Sequence, residues 1–286
     1  MKKVSKIDKV LLALIILFSI FGLIMVLSAS SMESYMRYDK SPYYYFIRQL
    51  IFVGVGFVIY FILHIIPLSF YKKLSSVFIY MIILVMIALI IYGKSTREVV
   101  SWFKIGPIKI QPSEFAKLFS IIYLSSYYGK YKDNLDDYWI IIKPLIPIII
   151  ICILVALQPD LGTASIIALI SFSIFCLAPI PKQNRKMFNK IIVAIIGLVV
   201  LLFVSTKGKF LKDYQLQRLF SYWNNPCENY QNEEGYQLCN SYIAFHNGGL
   251  KGSGIGASTQ KYLYLPDSYT DFIFPIIIEE WGYLVG

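Results

Sequence analysis

The chain is 286 residues long, 57% hydrophobic and only 15% charged, with a mean hydropathy of +0.61. That composition excludes an ordinary soluble globular domain and points to a membrane protein. The net charge of +10 does not signal nucleic acid, because the aromatic residues sit in apolar spans and a mixed-charge loop rather than interleaving a basic patch.

A helix needs roughly 20 mainly apolar residues to cross about 30 Å of hydrocarbon. In chain order, runs of that size occur at 10–30, 48–67, 76–93, 140–157, 162–180 and 190–205, and two weaker spans, 113–129 and 271–286, carry charges. The runs are continuous rather than alternating, which predicts helices and not a β-barrel. The expected fold is an all-α, polytopic helical membrane domain over 1–286. Lys2, Lys3, Lys6 and Lys9 precede the first run and Ser28-Ala29-Ser30 follows it, in the manner of a signal peptide. Its apolar core exceeds the roughly 7–15 residues of such a segment, which favours an uncleaved first helix.

Basic residues set the orientation. With the amino terminus in the cytoplasm, the inner loops 1–9, 68–75, 130–139 and 181–190 hold Lys72, Lys73, Lys130, Lys132, Lys182, Arg185, Lys186 and Lys190 besides the amino-terminal lysines. The long loop 206–270 then lies outside with nearly balanced charge. Cys152 and Cys176 fall inside spans as buried small hydrophobes. Cys227 and Cys239 fall in the outer loop, where a bridge is permitted and would contribute about 3 kcal/mol; two free thiols in a reducing setting are the alternative. From Asp271 to Gly286 a helix would reach only about 24 Å, so the sequence is expected to stop inside its last span.

Three polar clusters share the outer side. The first runs from Trp102 to Lys117 and contains Gln111-Pro112-Ser113-Glu114. Pro112 suits the first helical position, with Glu114 in the first turn and Lys117 three residues on. The second, Gln158-Pro159-Asp160-Leu161-Gly162-Thr163-Ala164, repeats the Gln-Pro-acid pattern. Asp160 is expected to cap that helix, or to complete a charge network with Lys117. The third comprises Tyr214 to Arg218, the Gly-rich run Gly248-Gly249-Leu250-Lys251-Gly252-Ser253-Gly254-Ile255-Gly256, then Ser258, Gln260, Lys261 and Thr270-Asp271. Asp271 is a carboxylate at the rim of hydrocarbon and counts as a functional candidate by default. The Gly-rich run opens no helix after a strand, so a dinucleotide or P-loop reading fails on context. His64 and His246 are too few and too far apart to suggest a metal cage.

These residues resemble the SEDS family, the FtsW/RodA class of cell-wall polymerases. The resemblance rests on Trp102 with Gln111-Pro112-Ser113-Glu114, on Gln158 to Ala164, on Gly248 to Gly252, on Leu265-Pro266, on Thr270-Asp271-Phe272-Ile273-Phe274 and on Glu279-Glu280, in family order over essentially the whole chain. The stretch 254–266 is more similar to the FtsW branch than to RodA. The family usually has ten transmembrane helices, so this chain looks like the first eight. Two departures stand out: Tyr269 where a His is often found, and Ser101 where an Arg is often found, with Arg97 as a possible substitute.

The resemblance implies a glycosyltransferase that joins lipid II units into glycan strands on the outer face of the bacterial cytoplasmic membrane. Asp271 would be the general base for the acceptor hydroxyl. Arg218, Lys261 and Lys117 would face the pyrophosphate of the undecaprenyl-linked donor, assisted by Gly-rich backbone amides or a divalent ion (magnesium or manganese). Trp102 would pack on a sugar or prenyl face, and Ser258, Gln260 and Thr270 would complete the substrate site. Glu114, Asp160, Glu279 and Glu280 would form structural charge pairs. A class B penicillin-binding transpeptidase is the implied partner. Two rival readings use the same residues: a lipid II flippase, and a non-catalytic division scaffold.

Overall fold

A computed structural model describes residues 7–92, 101–105, 108–158, 160–186, 188, 190, 227–228 and 233–286. The expected span 190–205, the segment Tyr214 to Arg218, and Arg97 and Pro159 lie outside the described residues. The chain falls into two compact units, Met1–Ile65 with Leu201–Gly286, and Ile66–Val200.

The first unit contains α1 (Lys9–Tyr38) and α2 (Tyr44–Ile65). Asp8 starts α1 by accepting from the Val10 and Leu11 amides, and Asp39, left-handed at φ 49°, stops it. Both helices are long and apolar enough to cross a membrane. Ser28-Ala29-Ser30 sits in the middle of α1, where Ala29 joins Met25, Leu265 and Ile276 in a small buried core. That stretch is therefore a packing surface of one continuous helix.

The second unit begins with α3 (Leu68–Tyr92), followed by a two-stranded hairpin, β1 (Phe103–Ile105) with β2 (Ile108–Ile110), in antiparallel register. Next come α4 (Pro112–Lys130), α5 (Tyr138–Ile142), α6 (Leu145–Leu157) and α7 (Leu161–Leu177). Ile79 and Met86 of α3, Leu124 of α4, Ile151 and Val155 of α6 and Ile167 of α7 close its core. α3 and the combined stretch Tyr138–Leu157 are also long and apolar enough to span. The chain is thus an all-α, multi-pass membrane protein, as its hydropathy predicts.

Besides the hairpin, two elements depart from the sequence reading. Within the polar loop, Glu233–Gly248 forms a helix, α8, anchored by a Cys227–Cys239 disulfide. The expected span 271–286 is helical only as α9 (Ile273–Trp281), because Gly282 at φ 74° ends it.

Candidate functional site

Asp271 lies in the turn just before α9, and the local backbone explains its position. Asp267 is left-handed at φ 52°, and its carbonyl accepts from the Thr270 and Phe272 amides, each at 3.1 Å, and from the Thr270 hydroxyl at 3.3 Å. Leu265 and Ser268 turn inward, each 1% exposed, and the Ser268 hydroxyl donates to the Ala29 carbonyl at 3.5 Å. Thr270 and Asp271 are left pointing outward and exposed. Asp271 makes no hydrogen bond or ion pair with any described residue. An exposed carboxylate without a partner, fixed on an inward-anchored turn, is free to take a proton from a ligand.

Tyr269 occupies the position where the resemblance leads one to expect a His. Its ring packs 4.4 Å from that of Tyr45, centroid to centroid. Burial, then the hydrogen bond with Tyr45, pushes its phenol above the ordinary value. Tyr269 therefore stays neutral.

The sequence reading did not single out three cations of α1, α2 and the turn between them. Arg37, near the end of α1, pairs with the buried Glu33 at 3.0 Å and lies within electrostatic reach of Asp267. At the start of α2, Arg48 donates to the Tyr44 hydroxyl at 3.1 Å, while the Lys40 ammonium sits 4.0 Å from the Tyr44 ring centroid. Tyr45, beside Tyr44, carries this cationic corner to Tyr269. A signal was available, since Arg37 and Lys40 lie in the outer stretch 31–47, where positive charge is not expected, and Arg48 opens the span that follows.

Lys261, Ser258 and Gln260 are placed differently from the expectation that they contact substrate. Lys261 is 5% exposed, and its ammonium donates to Glu280 Oε1 at 2.9 Å, to the Gly256 carbonyl at 2.6 Å and to the Ser28 hydroxyl at 3.1 Å. All three of its protons are used, so none is left for a pyrophosphate. Ser258 donates to Glu279 Oε2, which also accepts from the Gln260 amide at 3.2 Å. Asn247 and Thr259 donate to the other oxygen of Glu279, at 3.0 and 2.9 Å. Glu279 and Glu280 are thus buried acids whose partners come from the polar loop and, for Glu280, also from Ser28 of α1.

The Gly-rich run also has a different role from cradling a ligand. The Ser253 and Gly254 amides donate to the carbonyls of Glu279 and Glu280 at 2.8 and 3.0 Å, capping the end of α9. A Cβ on Gly248 would strike the Ile278 carbonyl, and one on Gly252 (φ 77°) the Glu280 carbonyl. These glycines permit close approach to protein backbone. Gly252→Ala is expected to cost on the order of 2 kcal/mol or more, read as a lowered thermal midpoint of the detergent-purified protein. An unchanged midpoint would contradict this packing.

In the second unit, Ser101 is buried and donates to the Gln158 carbonyl at 3.3 Å, while Trp102 is 48% exposed. Pro112 takes the first position of α4, and Glu114 pairs with Lys117 at 2.8 Å. The alternative of an Asp160–Lys117 network is not realised among the described residues. Asp160 caps α7 through the Thr163 amide at 3.0 Å and accepts from Gln111 Nε2 at 3.1 Å. The two Gln-Pro-acid motifs are therefore joined by a Gln–Asp hydrogen bond. No three His, Cys, Asp or Glu side chains gather for a metal among the described residues.

Comparison with known proteins adds a family to this geometry. The sequence model covering FtsW, RodA and SpoVE, described as "Cell cycle protein", matches residues 8–286. The chain is 36% identical over 289 residues to the "probable peptidoglycan glycosyltransferase FtsW" of Bacillus subtilis, covering 98% of this chain and 70% of that protein. It is 33% identical over 269 residues to the protein of the same description in Coxiella burnetii, covering 93% and 68%. A solved chain from "Structural coordination of polymerization and crosslinking by a peptidoglycan synthase complex" matches with a TM-score of 0.62 and 20% identity, over 94% of this chain and 72% of that one. At that identity the likeness is one of fold.

Proposed function

We propose that this chain, which belongs to the FtsW/RodA/SpoVE family of cell cycle proteins, is a peptidoglycan glycosyltransferase that polymerises lipid II. The observation that carries this reading is the exposed Asp271 carboxylate, without a partner among the described residues, on an anchored turn packed against α1 and, through Tyr269 and Tyr45, against α2. The acceptor hydroxyl of one lipid II gives its proton to Asp271, and its oxygen attacks the anomeric carbon of the glycan donor. A new glycosidic bond forms as the bond from that carbon to pyrophosphate breaks, and undecaprenyl pyrophosphate departs. Lys40 and Arg48 stabilise its charge, in place of Lys261, whose donors are occupied. Arg37 is held by Glu33 and shapes the same surface.

The amino terminus is cytoplasmic, Asp271 faces the outside of the cytoplasmic membrane, and Thr270 beside it contacts substrate. Lys117, partnered by Glu114 at the start of α4, and Arg218 are further candidates for phosphate contact. The names of the relatives favour the division role, and a class B penicillin-binding transpeptidase is the partner whose crosslinking chemistry would consume the strands. Purified protein reconstituted in liposomes with that partner should form glycan strands from lipid II without a transmembrane gradient. Lipid II translocation with no strand synthesis would favour a flippase instead, and binding of the partner with neither activity would favour a scaffold.

A further inference from the structure

A polar cavity lies within the Ile66–Val200 unit, at the end of α4 away from Pro112. It has a volume of about 710 Å³, and Lys72, Lys73, Lys130 and Lys143 line it together with the hydroxyls of Ser126 and Tyr127. These groups come from the first turns of α3, the last turns of α4 and the junction between α5 and α6. None of the four lysines makes an ion pair with a described residue, and no acidic side chain lines the cavity. Asp137, whose charge reaches Tyr127, spends an oxygen on capping α5 through the Trp139 amide at 2.8 Å. Topology alone asks only for positive charge at this end of the helices. It does not ask for that charge to converge, with hydroxyl donors, on one concavity free of acids.

The mouth of the cavity opens beside apolar surface. Tyr80 lines the cavity and is 55% exposed, and Val77, Met81 and Leu84 continue outward along α3 at helical spacing, all exposed. A ligand held by its phosphate among the lysines therefore has an apolar stripe on which to lay hydrocarbon. We propose that this cavity binds the phosphodiester headgroup of an anionic phospholipid of the adjoining leaflet, with its acyl chains along α3. Basic pockets between membrane helices bind such headgroups through charge and hydrogen bonds together. The stripe favours a lipid over a free phosphate, which would leave it unused. The proposal stands apart from the chemistry assigned to Asp271.

The test is native mass spectrometry of the purified protein in mixed micelles of phosphatidylglycerol and phosphatidylcholine, repeated with inorganic phosphate added. Wild-type protein should retain phosphatidylglycerol over phosphatidylcholine by about fivefold or more. The triple variant Lys72→Gln/Lys130→Gln/Lys143→Gln should lose that preference. Ser126→Phe, which fills the cavity and keeps every charge, should lose it as well while leaving phosphatidylcholine retention unchanged. Full preference in Ser126→Phe would mean that charge at this membrane face suffices, and the site would be discarded. Displacement of the lipid by millimolar phosphate would overturn the lipid assignment in favour of a soluble anion.

Discussion

Lys261→Met should lower the yield of folded protein and its thermal midpoint more than any surface substitution. Glu280 is fully buried, and its Oε1 takes the Lys261 ammonium at 2.9 Å and the Ser28 hydroxyl at 2.6 Å. Its other oxygen has no hydrogen-bond partner among the described residues. Removing the ammonium leaves a carboxylate with one neutral donor in an apolar setting, a loss on the order of 3–5 kcal/mol. The damage would spread, because this cluster joins three segments far apart in the chain: Ser28 on α1, the loop at Gly256 to Lys261, and Glu280 on α9. Adding Glu280→Gln to Lys261→Met should recover much of the loss, since the second change removes the stranded charge. The check is the thermal midpoint of the two single variants and the double variant in detergent. A Lys261→Met protein as stable as the parent would show that the pair carries no weight. Loss of activity with unchanged stability would restore Lys261 to the substrate site.

What was legible in the sequence was largely what local chemistry determines. Continuous apolar runs gave α1, α2 and α3, because in hydrocarbon a backbone must satisfy its own hydrogen bonds. Pro112 and Asp160 marked the starts of α4 and α7 through their positional preferences. Asp271 stood out because a charge beside an apolar run is costly without a use. What stayed hidden depends on contacts between distant segments. Lys261 reads like any loop lysine until Glu280 and Ser28 are placed against it. The same holds for Gly248 and Gly252, whose composition suits a ligand loop and whose position makes them a seat for α9. α8 is amphipathic and polar, and its helicity was masked by the loop around it. The hairpin Phe103–Ile105 with Ile108–Ile110 was too short for its alternation to register. Arg37 and Lys40 were readable as exceptions to the charge bias.

Asp271→Asn should remove the proton acceptor and little else. The amide keeps the size and polarity of the carboxylate but cannot take up the acceptor hydroxyl's proton, and loss of a general base costs roughly 100- to 10,000-fold in rate. Because the wild-type carboxylate makes no bond with the described residues around it, stability should stay within about 0.5 kcal/mol of the parent. That contrast with Lys261→Met separates a chemical role from an architectural one. The most direct measurement is the initial rate of lipid II polymerisation by purified Asp271→Asn beside wild type, with the thermal midpoint of each recorded on the same preparation. The account predicts near-complete loss of strand synthesis at an unchanged midpoint; strand synthesis at the wild-type rate would contradict it.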